Sequence, residues 1–426
     1  MKTFKYLLLL LSMILISCET EFGNDNSPTE DQVLNSPEGL TGLIVGLEAQ
    51  YTLGGASGLY NNITANGLTT GELQVLNAGN TNIAQVANGF DNVAPNNGVI
   101  TNLWTNTVLV RNNAEKIISG SENINDVDFS NGVKVYGLFY RALSISVTAQ
   151  FFESLPIETG ENQAFVSRNE ALQRASNDID QALSILGGDS VPESITNAVG
   201  DNIDMPNALR ALSARINIML GDYEKALSSA NAVDLSSKSM FVFDQVTQNP
   251  VFRSSLTTNN VYDVEVNFGL TGDLTPDPND ERISFYLDAN SENGKGFFRS
   301  DSDEIPIYLP GEILLIKAEA LARTNQLNQA IDELNEVLTK QTSDDAFGLG
   351  ANLPEYSGPV TQEAILFEIY KNRAIELYMT GLKLEDSRRF NRPGPNDENF
   401  ERTRNFYPYP NTERDTNPNT PSDPQI

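Results

Sequence analysis

The apolar positions of this chain recur mostly at helical spacing. Leu40, Leu43, Ile44, Leu47 and Tyr51 lie on one face of an amphipathic helix. Ser36-Pro37 opens that helix, with serine placed to cap it and proline in its first turn, and Gly54-Gly55 closes it. Leu103, Thr107, Val110, Ala114 and Ile117 form the stripe of a second helix, from Ile100 to Ile118. Val133 to Phe152 predicts a third, rich in aromatics (Tyr136, Phe139, Tyr140, Phe151, Phe152) and stopped by Pro156. Ser167-Arg168-Asn169-Glu170 has the spacing of a capping box, and Leu172, Ala175, Ile179, Leu183 and Leu186 follow it. Thr361 to Tyr378 is expected to be the final helix, ended at Gly381.

Two segments share one pattern. Residues 208–233 and 312–338 each read as a helix, a short polar turn and a second helix. Tyr223, Ala226, Leu227, Ala230 and Val233 match Leu327, Ala330, Ile331, Leu334 and Val337 position for position. Small alanines at the crossing points suit close helix packing of the tetratricopeptide type. The segments start 104 residues apart, so they predict hairpins separated by insertions rather than a tandem solenoid.

Other stretches lack a clear period. Residues 52–98 are rich in Gly, Asn and Thr and read as a long irregular loop, the kind that often carries function. An insertion at about 239–311 holds three short β-like runs, Phe241–Phe243, Val264–Phe268 and Ile283–Leu287, broken by Pro, Gly, Asp and Asn. Residues 391–426 hold seven of the 20 prolines and predict an extended, non-helical tail along the surface.

Composition removes whole classes of chemistry. The 426 residues contain no histidine and one cysteine. Histidine-based acid–base catalysis, Ser-His-Asp triads, histidine metal sites, internal disulfides and thiolate clusters are therefore excluded. With 28 Lys+Arg against 57 Asp+Glu, the formal charge of −29 argues against nucleic acid as a partner. Asp277-Pro278-Asn279-Asp280-Glu281 lacks the ligand order and glycine of a calcium loop, and it reads, like Asp301–Glu304, as a solvated loop.

The N-terminus reads as an address. Lys2 and Lys5 precede an apolar run from Tyr6 to Ile16, too short to span a bilayer and suited to a signal peptide. Leu15-Ile16-Ser17-Cys18 resembles a bacterial lipobox, with Cys18 as the acylated residue. The expected organisation is a removed signal peptide at 1–17, a lipidated N-terminus and polar tether at 18–35, and a single domain at 36–426. Glu19-Thr20-Glu21 resembles a surface-export signal of lipoproteins from the Bacteroidota.

In order along the chain, further pieces resemble the SusD/RagB family of outer-membrane nutrient-binding lipoproteins. They are Leu103-Trp104 with Arg111-Asn112-Asn113-Ala114; Tyr140-Arg141-Ala142 with Leu155-Pro156-Ile157; and the hairpin at 208–233. Ile305-Pro306-Ile307-Tyr308 with Lys317-Ala318-Glu319-Ala320, then Ile369 to Phe390, continue the match. Tyr407-Pro408-Tyr409-Pro410 with Asn417-Pro418-Asn419 completes it. Leu309, Asn372 and Thr380 depart from the family pattern, which bears on binding loops more than on fold.

The resemblance implies a mostly α-helical, SusD-like fold in which tetratricopeptide-like hairpins form a scaffold with long irregular loops and a few short strands. It implies a cell-surface protein, anchored to the outer membrane by lipid and facing outward. Such a protein captures an oligosaccharide and delivers it to a SusC-like TonB-dependent porter, with no enzymatic activity and no cofactor. A peptide-binding lid of a RagAB-like importer is the alternative, and a glycoside hydrolase using two carboxylates is the reading from another class.

Glycan recognition needs flat aromatic faces and amide, carboxylate or arginine groups. The candidate ligand residues are Trp104, Tyr60, Asn61, Glu72 and Arg389. Trp104, the only tryptophan, lies beside its helix's apolar stripe and suits either sugar stacking or core packing. Tyr60, Asn61 and Asn62 suit either a binding loop or a solvated one, and Arg389 either a site or a helix C-terminus.

Overall fold

The structure, a computed structural model, describes residues 28–253, 261–287 and 296–426. The signal peptide, the lipobox with Cys18 and most of the expected tether lie outside the described residues. The first helix, α1 (Glu30–Leu34), starts inside the tether segment, with a capping box between Thr29 and Gln32.

Helix α2 (Pro37–Thr52) begins as its Ser36-Pro37 signal predicts, and the Ser36 hydroxyl accepts from the Gly39 amide. It buries Leu40, Ile44, Leu47 and Tyr51. The expected loop at 52–98 is instead mostly ordered structure. It contains α3 (Gly58–Thr70), β1 (Leu73–Val75) and α4 (Thr81–Asn88). Every residue of α3 is buried, although its sequence is GLYNNITANGLTT. A helix enclosed on all sides needs no amphipathic stripe, so periodicity does not reveal it. Several of its polar groups find internal partners: Asn61 Nδ2 donates to the carbonyls of Gly55 and Ser57, Thr70 Oγ1 to Asn66 O, and Thr64 Oγ1 bonds the Tyr262 hydroxyl.

The next helices stack in sequence. They are α5 (Gly98–Ser121), α6 (Val127–Phe151) and α7 (Arg168–Leu186), with the hairpin β2 (Ser154–Pro156)–β3 (Phe165–Ser167) between the last two. The Ser167–Glu170 capping box forms as read. After α8 (Glu193–Val199) come the two predicted hairpins, α9 (Met205–Leu220) with α10 (Tyr223–Asn231), and α12 (Pro310–Arg323) with α13 (Leu327–Leu338). The 104-residue separation does not keep them apart in space: α9 packs on α7, and α10 packs on α12. The row of hairpins is continuous, closed by α14 (Gln362–Glu376) against α12 and α13. A second apolar cluster, including Leu315, Ala318, Ala330, Leu334 and Ile369, fills that end.

The insertion supplies β4 (Met240–Phe241), β5 (Tyr262–Val264) and β6 (Ile305–Pro306). Strand β5 pairs antiparallel with β1, and β4 with β6. The third β-like run is helical instead, as α11 (Arg282–Tyr286), because a short apolar run does not distinguish the two states. Asp280 there is buried rather than solvated, and its carboxylate holds the fully buried Arg282 guanidinium.

Thr361–Tyr378 is not the final helix. After Gly381, at φ +79°, comes α15 (Lys383–Arg389), which packs on α3. The proline-rich tail includes a short helix, α16 (Asn411–Thr416), with Pro410 as its N-cap residue and Pro418 beyond its end. Proline breaks helix interiors but is compatible with both flanks.

A buried ionic lattice joins these C-terminal elements. Arg373 grips Asp386 through two nitrogens at 2.8 and 3.0 Å. Arg389 grips Glu319 at 2.8 and 2.9 Å and also reaches Asp386. Arg388 and Arg168 converge on Glu385. Burial alone would raise the Glu385 carboxyl, but these arginines hold it at about 2.

Candidate functional site

None of the five ligand residues expected from sequence offers an accessible face. Trp104 is 2% exposed. Its ring meets Phe152 edge-on at 4.7 Å and stacks parallel to Phe165 at 5.9 Å, with Tyr409 on a third side. Its Nε1 donates to Glu413 at 3.1 Å. Tyr60 and Asn61 lie within the enclosed α3. Glu72 is buried beside Lys383, and burial raises its carboxyl while the ammonium opposes. Arg389 does sit in the last turn of α15, yet its guanidinium is spent on Glu319 and Asp386. These residues correct the expectation: their aromatic and polar groups build the interior.

Gly71 and Leu73, on either side of Glu72, line a cleft of about 560 Å³. Its walls come from the end of α3, β1, α4, the turn at 265–271 and the tail at 400–403. The volume falls in the range of small-molecule sites, roughly 300–1,000 Å³. The expected first-half region thus does contribute, but through β1 and α4 rather than through an irregular loop.

Glycine allows two close approaches that set the walls. Gly269 has φ +64°, and a Cβ there would lie 2.4 Å from the Gly71 carbonyl oxygen. The buried Lys383 ammonium ties this turn by donating to Phe268 O at 2.6 Å and Gly269 O at 3.2 Å. Gly89, at φ +60°, leaves no room for a side chain against Thr403. The Phe90 amide donates to Thr403 O and the Thr403 amide to Thr69 O, so the tail is stitched down as a strap.

The strap brings an aromatic to the cleft. Phe400 lines it and is 45% exposed. Phe90 supports it edge-on, at 5.1 Å between ring centres. Edge-to-face contact orients the ring. Around it stand Gln74, Asn88, Thr271, Glu265 and Asn267. Among the described residues the Asn88 side chain makes no hydrogen bond, and Asn267 uses only its oxygen, accepting from the Gly269 amide. Burial raises the Glu265 carboxyl, with Asp263 adding repulsion. Arg402 also lines the cleft but is committed to Asn405 and to tail carbonyls. Sequence reasoning missed Phe400; its signal was a lone large aromatic in the polar run Asn396–Arg404.

Among the described residues, no three His, Cys, Asp or Glu side chains group as a metal site. No helix there is long and apolar enough to cross a membrane.

Comparison with known proteins agrees with this architecture. The sequence model of the SusD family matches residues 240–425. No curated protein sequence matches the chain. Among solved structures, a SusD superfamily protein from Bacteroides vulgatus aligns over 91% of this chain and 99% of its own, with TM-score 0.69 and 16% identity. Another, from Bacteroides thetaiotaomicron, aligns over 92% and 100%, with TM-score 0.70 and 16% identity. A SusD-like carbohydrate binding protein from Bacteroides vulgatus covers 83% and 84%, with TM-score 0.67 and 17% identity. The chain therefore has a SusD-like fold over about nine-tenths of its length, and its residues 240–425 match the sequence model of the SusD family.

Proposed function

We propose that this protein is a cell-surface nutrient-binding lipoprotein that captures an oligosaccharide in the cleft beside Phe400. The observation that carries the reading is the exposed ring of Phe400 in one cleft with the Asn88 amide, the Asn267 Nδ2 and the Glu265 carboxylate, which make no hydrogen bond among the described residues. A sugar ring presents an apolar face to an aromatic and hydroxyls to amides and carboxylates. The carbohydrate-binding description of the relative from Bacteroides vulgatus supports the same class of ligand. The chain holds its ligand without turning it over, and it passes the ligand to a SusC-like TonB-dependent porter in the outer membrane. Acylation of Cys18 anchors it there, facing outward.

The test is affinity electrophoresis of the full-length chain, extracted in detergent, across a panel of soluble polysaccharides. Retardation by one glycan, reduced in Phe400→Ala, supports the reading. Retardation unchanged in that variant moves the site elsewhere. No retardation by any glycan, with binding of peptides instead, favours the RagAB-like alternative. Co-purification with a porter from the native membrane tests delivery.

A further inference from the structure

A second cavity, of about 440 Å³, lies between α5, the β2–β3 turn and the tail helix α16. Val108, Arg111 and Asn112 face it from α5 at spacings of three and four residues, one helix face. The opposite wall is rigid. Asn417 Nδ2 donates to Gln163 O at 3.0 Å and to Glu413 Oε1 at 2.9 Å, and Asn419 Nδ2 donates to Asn162 O at 2.7 Å. The Asn417-Pro418-Asn419 segment thus clamps the turn to the tail.

Arg111 is the unusual member. It is 2% exposed, makes no hydrogen bond among the described residues, and its Nε is fully buried there without a partner. Burial pulls its guanidinium down to about 10, with Glu413 and Glu158 opposing. Those carboxylates are committed to other donors. Glu413 accepts Trp104 Nε1 on one oxygen and Asn417 on the other, while Glu158 pairs with Arg174 at 3.1 Å. A buried guanidinium with unused donors is costly unless something fills the cavity and accepts from it. The Asn112 side chain, half-buried beside it, also makes no hydrogen bond among the described residues.

The charge of the lining selects the guest. Three carboxylates, Glu158, Glu161 and Glu413, surround the single guanidinium. An anion would satisfy Arg111 and be repelled by the rest. A hydroxyl accepts from arginine or amide and donates to carboxylate at once. We propose that this cavity is a second binding site, for a neutral, hydroxyl-rich sugar residue. Arg111 and Asn112 donate to its hydroxyl oxygens, and Glu161 accepts from its hydroxyl hydrogens. The lining holds no aromatic ring, so recognition rests on hydrogen bonds and is distinct from stacking at Phe400. The inference does not depend on the cleft reading, because no residue lines both cavities.

The experiment follows the Arg111 Nε–H resonance in full-length chain labelled with nitrogen-15 at arginine. Arg111→Lys removes that resonance and so assigns it. Glucose, galactose, mannose and cellobiose are titrated, with glucuronate as the anionic comparator. A saturable shift with a neutral sugar, weakened at least tenfold by Asn112→Leu and unaffected by Phe400→Ala, is the expected result. A shift larger with glucuronate overturns the neutral-sugar assignment. No shift with any probe into the tens of millimolar overturns the site. Loss of the shift in Phe400→Ala would show one site rather than two, whether or not polysaccharide binding at the cleft survives.

Discussion

Replacing Trp104 separates packing from recognition. The side chain is 2% exposed and touches Phe152, Phe165 and Tyr409, and its Nε1 bonds Glu413. A buried tryptophan removes about 150–250 Å² from water, and large-to-alanine changes at such sites cost about 3–5 kcal/mol. The Nε1 bond adds about 1 kcal/mol at most, since Glu413 lines an open cavity and water replaces the donor. Trp104→Ala should therefore lose about 4 kcal/mol. That is a large share of the roughly 5–15 kcal/mol of a typical domain. Urea unfolding followed by far-ultraviolet circular dichroism measures it in both proteins, because the variant has no tryptophan to report. Trp104→Phe should lose less, keeping a ring against Phe152. The component of glycan retardation that Phe400→Ala removes should survive in the folded Trp104→Phe protein. A Trp104→Ala protein of nearly unchanged stability that has lost that component would refute the argument and return Trp104 to the binding surface.

Four further outcomes follow from the same geometry. Phe400→Ala should weaken glycan binding up to about tenfold, from the roughly 0.5–1.5 kcal/mol of an aromatic contact, without lowering the urea midpoint. The Glu385 carboxyl is held at about 2 against an ordinary 4.5, so its stabilisation is complete above the ordinary value and is lost as pH falls toward 2. Unfolding free energies from urea titrations across that window should fall by about 3 kcal/mol less in Glu385→Gln than in the parent; parallel curves would contradict the assignment. Glu319→Gln leaves Arg389 and Arg323 without their shared carboxylate and should cost about 3–5 kcal/mol, read by thermal melting. Gly269→Ala places a Cβ 2.4 Å from Gly71 O in left-handed backbone and should lower both the melting temperature and glycan retardation.

Helix α7 and the second helices of the hairpins, α10 and α13, were legible because each is buried on one side only. Leu172, Ala175, Ile179 and Leu186 face the core while their neighbours meet water, and that contrast is written as a period. The capping signals at Ser36 and Ser167 were legible for a local reason, since cap and capped amide lie three residues apart. Helix α3 was not, because its surroundings come from Tyr262, Leu384 and Tyr407, about 200 to 340 residues downstream. The motif from Ile369 to Phe390 was visible as a family resemblance, but not as a buried lattice. An arginine at a helix end looks the same in sequence whether water or Glu319 faces it.

The binding surfaces show the same division. Sequence pointed to the first-half region and to Trp104, the only tryptophan, yet Phe400 is marked only as a lone aromatic in a polar run and Arg111 carries no local mark of its setting. Phe400 becomes a platform only because Gly89 lets the strap lie against α4, and Arg111 becomes a waiting donor only because Asn417 and Trp104 have claimed Glu413. By itself the sequence determined the helices that bury one face, their caps, the paired hairpins and the absence of histidine chemistry, since these depend on neighbours along the chain or on composition alone. The tertiary structure decided that the hairpins stack across their insertion, that Trp104 faces inward and that the clefts open where they do. Those outcomes depend on which distant segments exclude water from one another, and such contacts leave no period in the sequence.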